Sequence, residues 1–116
     1  MMSDSPHADS LVSVCRLLSF EKYDDKGVVK LPVADGTNFK SYVLNILPGQ
    51  EVPAHSHAGH EVILIPQTGS ATLFATDAKP VRLVRGSIYT DHFGTTYGLR
   101  NTGASPFQVL VILVKT

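Results

Sequence analysis

The stretch from Gly49 to Gly69, GQEVPAHSHAGHEVILIPQTG, decides how the rest of the chain is interpreted. His55 and His57 are two residues apart, so on an extended strand both imidazoles point to the same face. Glu61 follows a short loop that contains Gly59, and its carboxylate can reach that face. Two imidazoles and one carboxylate on a concave surface form a mononuclear metal site of the two-histidine, one-carboxylate kind.

The neighbouring His60 is not counted among the predicted ligands. Next to Glu61 on a strand, its side chain should point the opposite way. Glu61 begins an alternating series in which Ile63 and Ile65 share its face. If that face is interior, the carboxylate is buried, and a metal or another cation compensates the cost of burying an unpaired charge.

The bulk composition predicts one globular domain and excludes two classes of partner. A chain of 116 residues has the size of a single core, and 43% hydrophobic residues are enough to fill it. Ten basic and ten acidic residues cancel, with no basic block or stripe. Nucleic acid and anionic membranes are therefore poor partner predictions.

The only cysteine, Cys15, favours a reducing compartment, because it cannot form a disulfide within the chain. We expect it to be a small buried hydrophobe. The apolar run from Leu11 to Phe20 is too short to span a bilayer and contains Arg16. It follows acidic residues rather than a positively charged segment, so it is not a secretory signal. The predicted location is the cytoplasm.

The distribution of β-prone runs predicts an all-β fold. Residues 1–10, MMSDSPHADS, are polar and are expected to form a flexible N-terminal arm, in which His7 is solvated. Residues 11–116 are predicted to form one β-barrel domain, with Leu11 to Phe20 as its first strand. No window has helical periodicity, and eight to ten short β-prone runs are separated by turns with Gly, Pro and Asp. This pattern is typical of an antiparallel sandwich or barrel.

The opening stretch resembles the first signature of the cupin family. That signature is Gly, five residues, His-x-His, three or four residues, Glu, six residues, Gly. Gly49 is followed by five residues, His55-Ser56-His57, three residues and Glu61, but Gly69 comes after seven residues rather than six. We interpret the extra residue as a bulge or a longer turn at 66–68 that leaves the ligands in place.

The stretch Gly86 to Asn101, GSIYTDHFGTTYGLRN, keeps the spacing of the second cupin signature. That signature is Gly, five residues, Pro-x-Gly, two residues, His, three residues, Asn. Gly86, Gly94 and Asn101 occupy fixed positions, and Asn101 is expected to support a turn or strand end. His92 stands in place of the proline, and Tyr97 stands in place of the histidine that is the fourth metal ligand.

The two changed positions leave the fourth ligand open. Tyr97 is a candidate for a direct ligand, for a hydrogen-bond donor to a metal-bound water or substrate, or for simple packing. His92 is a candidate for the missing ligand if its loop folds inward, and otherwise for a residue at the pocket rim. In an enzyme, both are candidate catalytic residues for proton transfer or substrate orientation.

Resemblance to the cupins implies a double-stranded β-helix, or jelly-roll, barrel. It also implies one divalent transition metal per chain (Fe, Zn, Mn or Ni), a small organic ligand in the barrel mouth, and a homodimer. The activity that it implies is a dioxygenase or isomerase type of reaction. The alternatives are a non-catalytic binding or sensing module and a metal-free binder, because a fold does not fix a function.

Overall fold

Nine antiparallel strands form most of the described chain. The structure is a computed structural model, and it describes residues 13–76, 78–92 and 94–116. The predicted arm at 1–10, with His7, lies outside the described residues. The strands are β1 (Val29–Asp35), β2 (Phe39–Ile46), β3 (Glu51–His55), β4 (His60–Thr68), β5 (Ser70–Ala75), β6 (Val81–Val84), β7 (Tyr89–Asp91), β8 (Tyr97–Arg100) and β9 (Phe107–Lys115).

The strands pair into two sheets that enclose one core. One sheet has five strands in the order β1-β2-β9-β4-β7, and the other has four in the order β3-β8-β5-β6. Apart from the β1–β2 hairpin, neighbours in the five-stranded sheet come from distant parts of the sequence, as in a jelly roll. The predicted all-β fold class is confirmed. Among the described residues, no helix is long and apolar enough to cross a membrane.

The core lies between the two sheets, and we call the faces that line it the inner faces. Large apolar side chains on them are almost fully buried, among them Ile46, Leu64, Leu73, Leu99 and Phe107. Burial of such side chains away from water is the main favourable contribution to folding. This packing fixes which residues of each strand point inward.

The predicted first strand is wrong in the part that the structure describes. Residues 13–16 have no regular structure, and Leu17–Phe20 form a 3-10 helix. Two buried amides on the outer face of the five-stranded sheet bind this segment: Asn45 Nδ2 donates to Phe20 O at 2.9 Å, and Gln108 Nε2 donates to Leu17 O at 3.1 Å. Hydrogen bonds from side chains therefore hold this segment, instead of the backbone hydrogen bonds of a strand pair.

The conformation of this segment determines the surroundings of Cys15. Cys15 is free and exposed, because it lies in the irregular part rather than on a packed strand, so the expectation that it is buried is wrong. The described part of the segment packs on the outer face of the five-stranded sheet of its own chain.

The predicted bulge lies at the end of β4. The pairing of β4 with β9 shifts in register between Pro66 and Thr68, so one residue of β4 is extra. The strand then ends at Gly69, whose φ is +71°. A Cβ atom at Gly69 would lie 2.3 Å from the carbonyl oxygen of Pro106, so a glycine is required at this position.

Candidate functional site

His55 and His57 converge as the sequence predicts. Their Nε2 atoms are 3.0 Å apart, and both side chains are partly buried. The other ring nitrogen of His55, Nδ1, lies 2.9 Å from the carbonyl oxygen of Pro53. When Nδ1 donates its proton to that oxygen, Nε2 carries a lone pair that faces the second imidazole. Metal-binding histidines are commonly oriented by a backbone carbonyl in this way.

Tyr97 lies next to the histidine pair. Its ring centroid is 5.5 Å from that of His55 and 6.3 Å from that of His57, and the residue is only 2% exposed. β3 and β8 bring the three residues together, because His55 is the register partner of Tyr97. We call the region of the barrel around these three side chains the barrel mouth.

The environment of Tyr97 keeps its phenol protonated. Burial raises the pKa of Tyr97 above its ordinary value, and the nearby Tyr42, Tyr89 and Asp91 raise it further. The Tyr89 ring centroid is 5.8 Å from that of Tyr97. A neutral phenol is a hydrogen-bond donor, whereas ligation to a metal would require its anion.

The structure does not place Glu61 with the two histidines. Its Oε2 atom lies 2.6 Å from His92 Nδ1, and the two side chains are 42% and 59% exposed, respectively. Val62, the next residue, is 1% exposed and belongs to the core, so Glu61 lies on the outer face of β4. His92 follows Asp91, the register partner of Val62, which places it beside Glu61.

The spacing of the closing glycine explains this placement. The first cupin signature has six residues between its glutamate and its glycine, and in this chain six residues separate Val62, not Glu61, from Gly69. Val62 therefore occupies the inner-face position that the signature gives to the glutamate. The extra residue at 66–68 forms the predicted bulge, but the bulge does not turn Glu61 inward. The series Glu61, Ile63 and Ile65 faces outward.

Burial and nearby basic groups act together on His57. Burial lowers the pKa of the His57 imidazole below its ordinary value of 6.5, and electrostatic repulsion from His55, His60, Lys30 and Lys40 lowers it further. Sequence reasoning named neither lysine. A signal was present in the sequence, because Lys40 is two residues from Tyr42 on one β-prone run, so the two share a face.

Asn101 has the structural role that the sequence predicts. The residue is 1% exposed, and its Nδ2 donates to Ile46 O at 2.8 Å and to Ser105 O at 2.9 Å. Its Oδ1 accepts from Gly103 N at 3.0 Å. The carbonyl of Asn101 accepts from Gly49 N at 2.8 Å, so the first residue of one signature is joined to the last residue of the other.

The residues of the barrel mouth fit part of a metal site. Within residues 13–76, 78–92 and 94–116, no three His, Cys, Asp or Glu side chains are grouped to hold one ion. The predicted set of His55, His57 and Glu61 is thus not assembled. The two imidazoles do fit two ligand positions: at metal–nitrogen distances of about 2.0–2.1 Å, nitrogens 3.0 Å apart subtend roughly 90° at the ion. That is the angle between neighbouring ligands of an octahedral site.

Comparisons with known proteins identify the fold. No family model and no curated protein matches this chain. A solved structure from Thermus thermophilus, the TT1209 protein, superposes with a TM-score of 0.81 at 24% identity, covering 88% of this chain and 96% of its own. An RmlC-like cupin protein from Desulfovibrio desulfuricans gives a TM-score of 0.79 at 25% identity, covering 89% and 96%. An uncharacterised double-stranded β-helix protein from Klebsiella pneumoniae gives 0.81 at 19% identity, covering 88% and 89%.

Proposed function

We propose that this chain, a small cupin domain with a double-stranded β-helix fold, binds a divalent transition metal and a small organic ligand in its barrel mouth. His55 and His57 supply the two protein ligands to the metal. Glu61 and His92 lie outside this site. The metal is Fe, Zn, Mn or Ni, since imidazole ligands suit each of them.

The observation that carries the proposal is the geometry of the histidine pair. The two Nε2 atoms are 3.0 Å apart, and the carbonyl of Pro53 accepts from Nδ1 of His55. The lowered pKa of His57 keeps its imidazole neutral at neutral pH, which is the state that binds a metal. A partly buried imidazole pair, in which a backbone carbonyl orients His55 and a lowered pKa keeps His57 neutral, favours a metal site over a solvated surface pair.

A metal bound there would supply Lewis acidity, which polarises an oxygen atom of a ligand. The chain itself would orient that ligand. The neutral phenol of Tyr97 lies beside the pair and can donate a hydrogen bond to a ligand oxygen. Since only two protein ligands are in place, several coordination positions are left to water and the organic molecule.

The test is the metal content of protein purified without a histidine tag, with and without His55→Ala. We expect about one metal ion per chain in the unaltered protein after reconstitution, and almost none in His55→Ala and His57→Ala. His92→Ala is the matched control, because it removes the same type of side chain from the outer face. Inductively coupled plasma mass spectrometry gives the metal content.

Two outcomes contradict the proposal. One is an unaltered protein that binds no first-row metal, and the other is equal loss of metal in His92→Ala and His55→Ala. The variant Glu61→Gln tests whether Glu61 is a third ligand to the metal. We expect this variant to keep its metal, whereas loss would show that Glu61 swings into the site and completes the predicted two-histidine, one-carboxylate set.

A non-catalytic binding module is the second candidate function. It is favoured by the lack of a third grouped ligand among the described residues, because metal bound by two imidazoles exchanges readily. Oxygen uptake on addition of Fe(II) and a panel of small organic compounds distinguishes the candidates. Turnover that is lost in His55→Ala supports an enzyme, and stoichiometric binding without turnover supports the module.

A homodimer is part of the same proposal. The outer face of the five-stranded sheet carries cross-strand apolar pairs that are only half-buried, Ile63 with Ile112 and Ile65 with Leu110. A second copy could cover this face, since exposed apolar surface favours association. Light scattering should give twice the chain mass of 12.5 kDa. A monomer at high concentration would remove this part of the proposal.

A further inference from the structure

A cavity lies at the end of the five-stranded sheet where β9 finishes, beside the β1–β2 turn. Its volume is about 250 Å³, and it is lined by residues 35–40 together with His60, Leu113 and Lys115. The lining includes two lysines and one carboxylate, that of Asp35. With His60 neutral, the cavity therefore carries a net positive charge, although the charge of the whole chain is zero.

Strand register places the basic side chains of this cavity together. Lys40 of β2 pairs with Leu113 of β9, and His60 of β4 pairs with Lys115 of β9. Leu113 is 3% exposed and belongs to the core, so it points to the inner face. Lys115, two residues further along the strand, shares that face, and so do the partners Lys40 and His60.

The cavity is linked to the histidine pair through His60. The backbone N–H of His60 donates to the carbonyl oxygen of His57 at 3.1 Å, and His60 lines the cavity. Lys40 also lines the cavity, and both residues are among the groups that lower the pKa of His57. Lys30 also acts on His57, and its Nζ lies 4.2 Å above the ring of Tyr42, a residue that shares the inner face with Lys40. Two lysines of the β1–β2 hairpin, one of them in the cavity lining, thus act electrostatically on an imidazole of the metal site proposed above.

We propose that the ligand of the barrel mouth is a small organic acid, whose carboxylate is bound in this cavity by Lys40, with His60 and Lys115 beside it. The inference rests on the proposed function, because the remainder of the acid extends towards His55 and His57. A carboxylate is the smallest organic group that matches a polar cavity with excess positive charge. Inorganic phosphate shares this oxyanion chemistry, so the experiment must separate the two.

Isothermal titration of metal-free protein with succinate, acetate and inorganic phosphate tests the inference. We expect succinate to bind, and Lys40→Gln to weaken it about tenfold or more, because a charge-assisted hydrogen bond is lost. Lys115→Gln is the second variant and should weaken binding in the same direction. Lys22→Gln, a lysine outside the cavity lining, is the control and should bind succinate like the unaltered protein.

Equal affinity of Lys40→Gln and the unaltered protein would overturn the inference, as would the absence of succinate binding at low salt. Tighter binding of phosphate than of either carboxylate would overturn the choice of a carboxylate. Metal content, measured in parallel, separates this inference from the proposed function. A protein that binds metal equally well with and without Lys40→Gln, but binds no acid, retains the proposed function and loses only the inference.

Discussion

Two pairs of side chains flank the start of β4, and they differ in face, exposure and partner. His55 and His57 bring two nitrogens within 3.0 Å on the inner side, where burial lowers the pKa of His57. Glu61 and His92 form a 2.6 Å ion pair on the outer side, with both side chains largely exposed. Each pair is hydrogen-bonded internally, but the first joins two imidazoles on the inner side and the second joins an imidazole to a carboxylate on the outer side.

The difference shows how one residue of spacing changes the chemistry of a motif. Successive side chains of a strand point to opposite faces, so a carboxylate displaced by one position leaves the site completely. Glu61 is displaced in this way relative to Gly69, and the inner position is occupied by the apolar Val62. Composition and approximate spacing are therefore not enough to assign a ligand set.

Exchange of the two residues, Glu61→Val with Val62→Glu, should have the largest effect. The carboxylate then lies on the inner face of β4, so we expect metal affinity to rise at least tenfold. Without metal, an unpaired buried carboxylate should lower the free energy of unfolding by about 3 kcal/mol or more. Urea denaturation with and without Zn²⁺ measures both effects.

The control for this exchange is Val62→Thr, which changes the polarity of the same position without adding a ligand. It should destabilise the protein without raising metal affinity. If the exchanged protein binds metal no better than the unaltered chain, the inner face at position 62 does not look towards the histidine pair. The comparison between the two faces would then be wrong.

The fold was predictable from the sequence because strand alternation and turn residues are local signals. The turn at Asp35-Gly36 is one example: Gly36 N donates to Phe39 O at 2.8 Å in the β1–β2 hairpin. The segment Leu17–Phe20 was not predictable, since its structure depends on Asn45 and Gln108, which are distant in sequence. The sequence also did not reveal which side chains of β2 point inward. The segment Leu17–Phe20 covers the outer side of β2, so both faces of this strand are buried.

The site was predictable only where its geometry is local. His55 is the last residue of β3 and His57 lies two residues further on, in the loop before β4, so their approach follows from local spacing in the sequence. The face of Glu61 depends instead on how β4 pairs with β9, which no local pattern reveals. The electrostatic effect of Lys40 on His57 likewise depends on residues that are distant in sequence.

Tyr97→Phe should have a smaller effect than the exchange. The ring stays packed in the core, and only a neutral hydroxyl is lost, so the free energy of unfolding should change by about 1 kcal/mol or less. Metal content should be unchanged, because the raised pKa disfavours a phenolate ligand. A drop in metal content would show that Tyr97 ligates the ion.

The pH dependence of the metal-free protein tests the environment of His57. Its pKa is lowered below 6.5 in the folded state, so the unfolded chain takes up the proton first as the pH falls. The free energy of unfolding should therefore decrease as the pH drops through 6.5, until the folded imidazole is protonated too. Proton NMR titration should give an upward shift in the pKa of His57 in Lys30→Gln but not in Lys22→Gln.

The outer pair should give the smallest effect. A double-mutant cycle with Glu61→Gln and His92→Ala should give a coupling energy of about 0–1 kcal/mol, because an exposed ion pair gains little over hydration and is screened by salt. Urea denaturation in low salt and in about 1 M NaCl measures this coupling, which should shrink at high salt. A coupling of several kcal/mol that resists salt would mean that the pair is desolvated, as by a second copy of the chain on the outer face. Water would then be excluded from the Glu61–His92 pair as well as from the His55–His57 pair. The difference between the two faces would in that case depend on assembly and not on the fold of one chain.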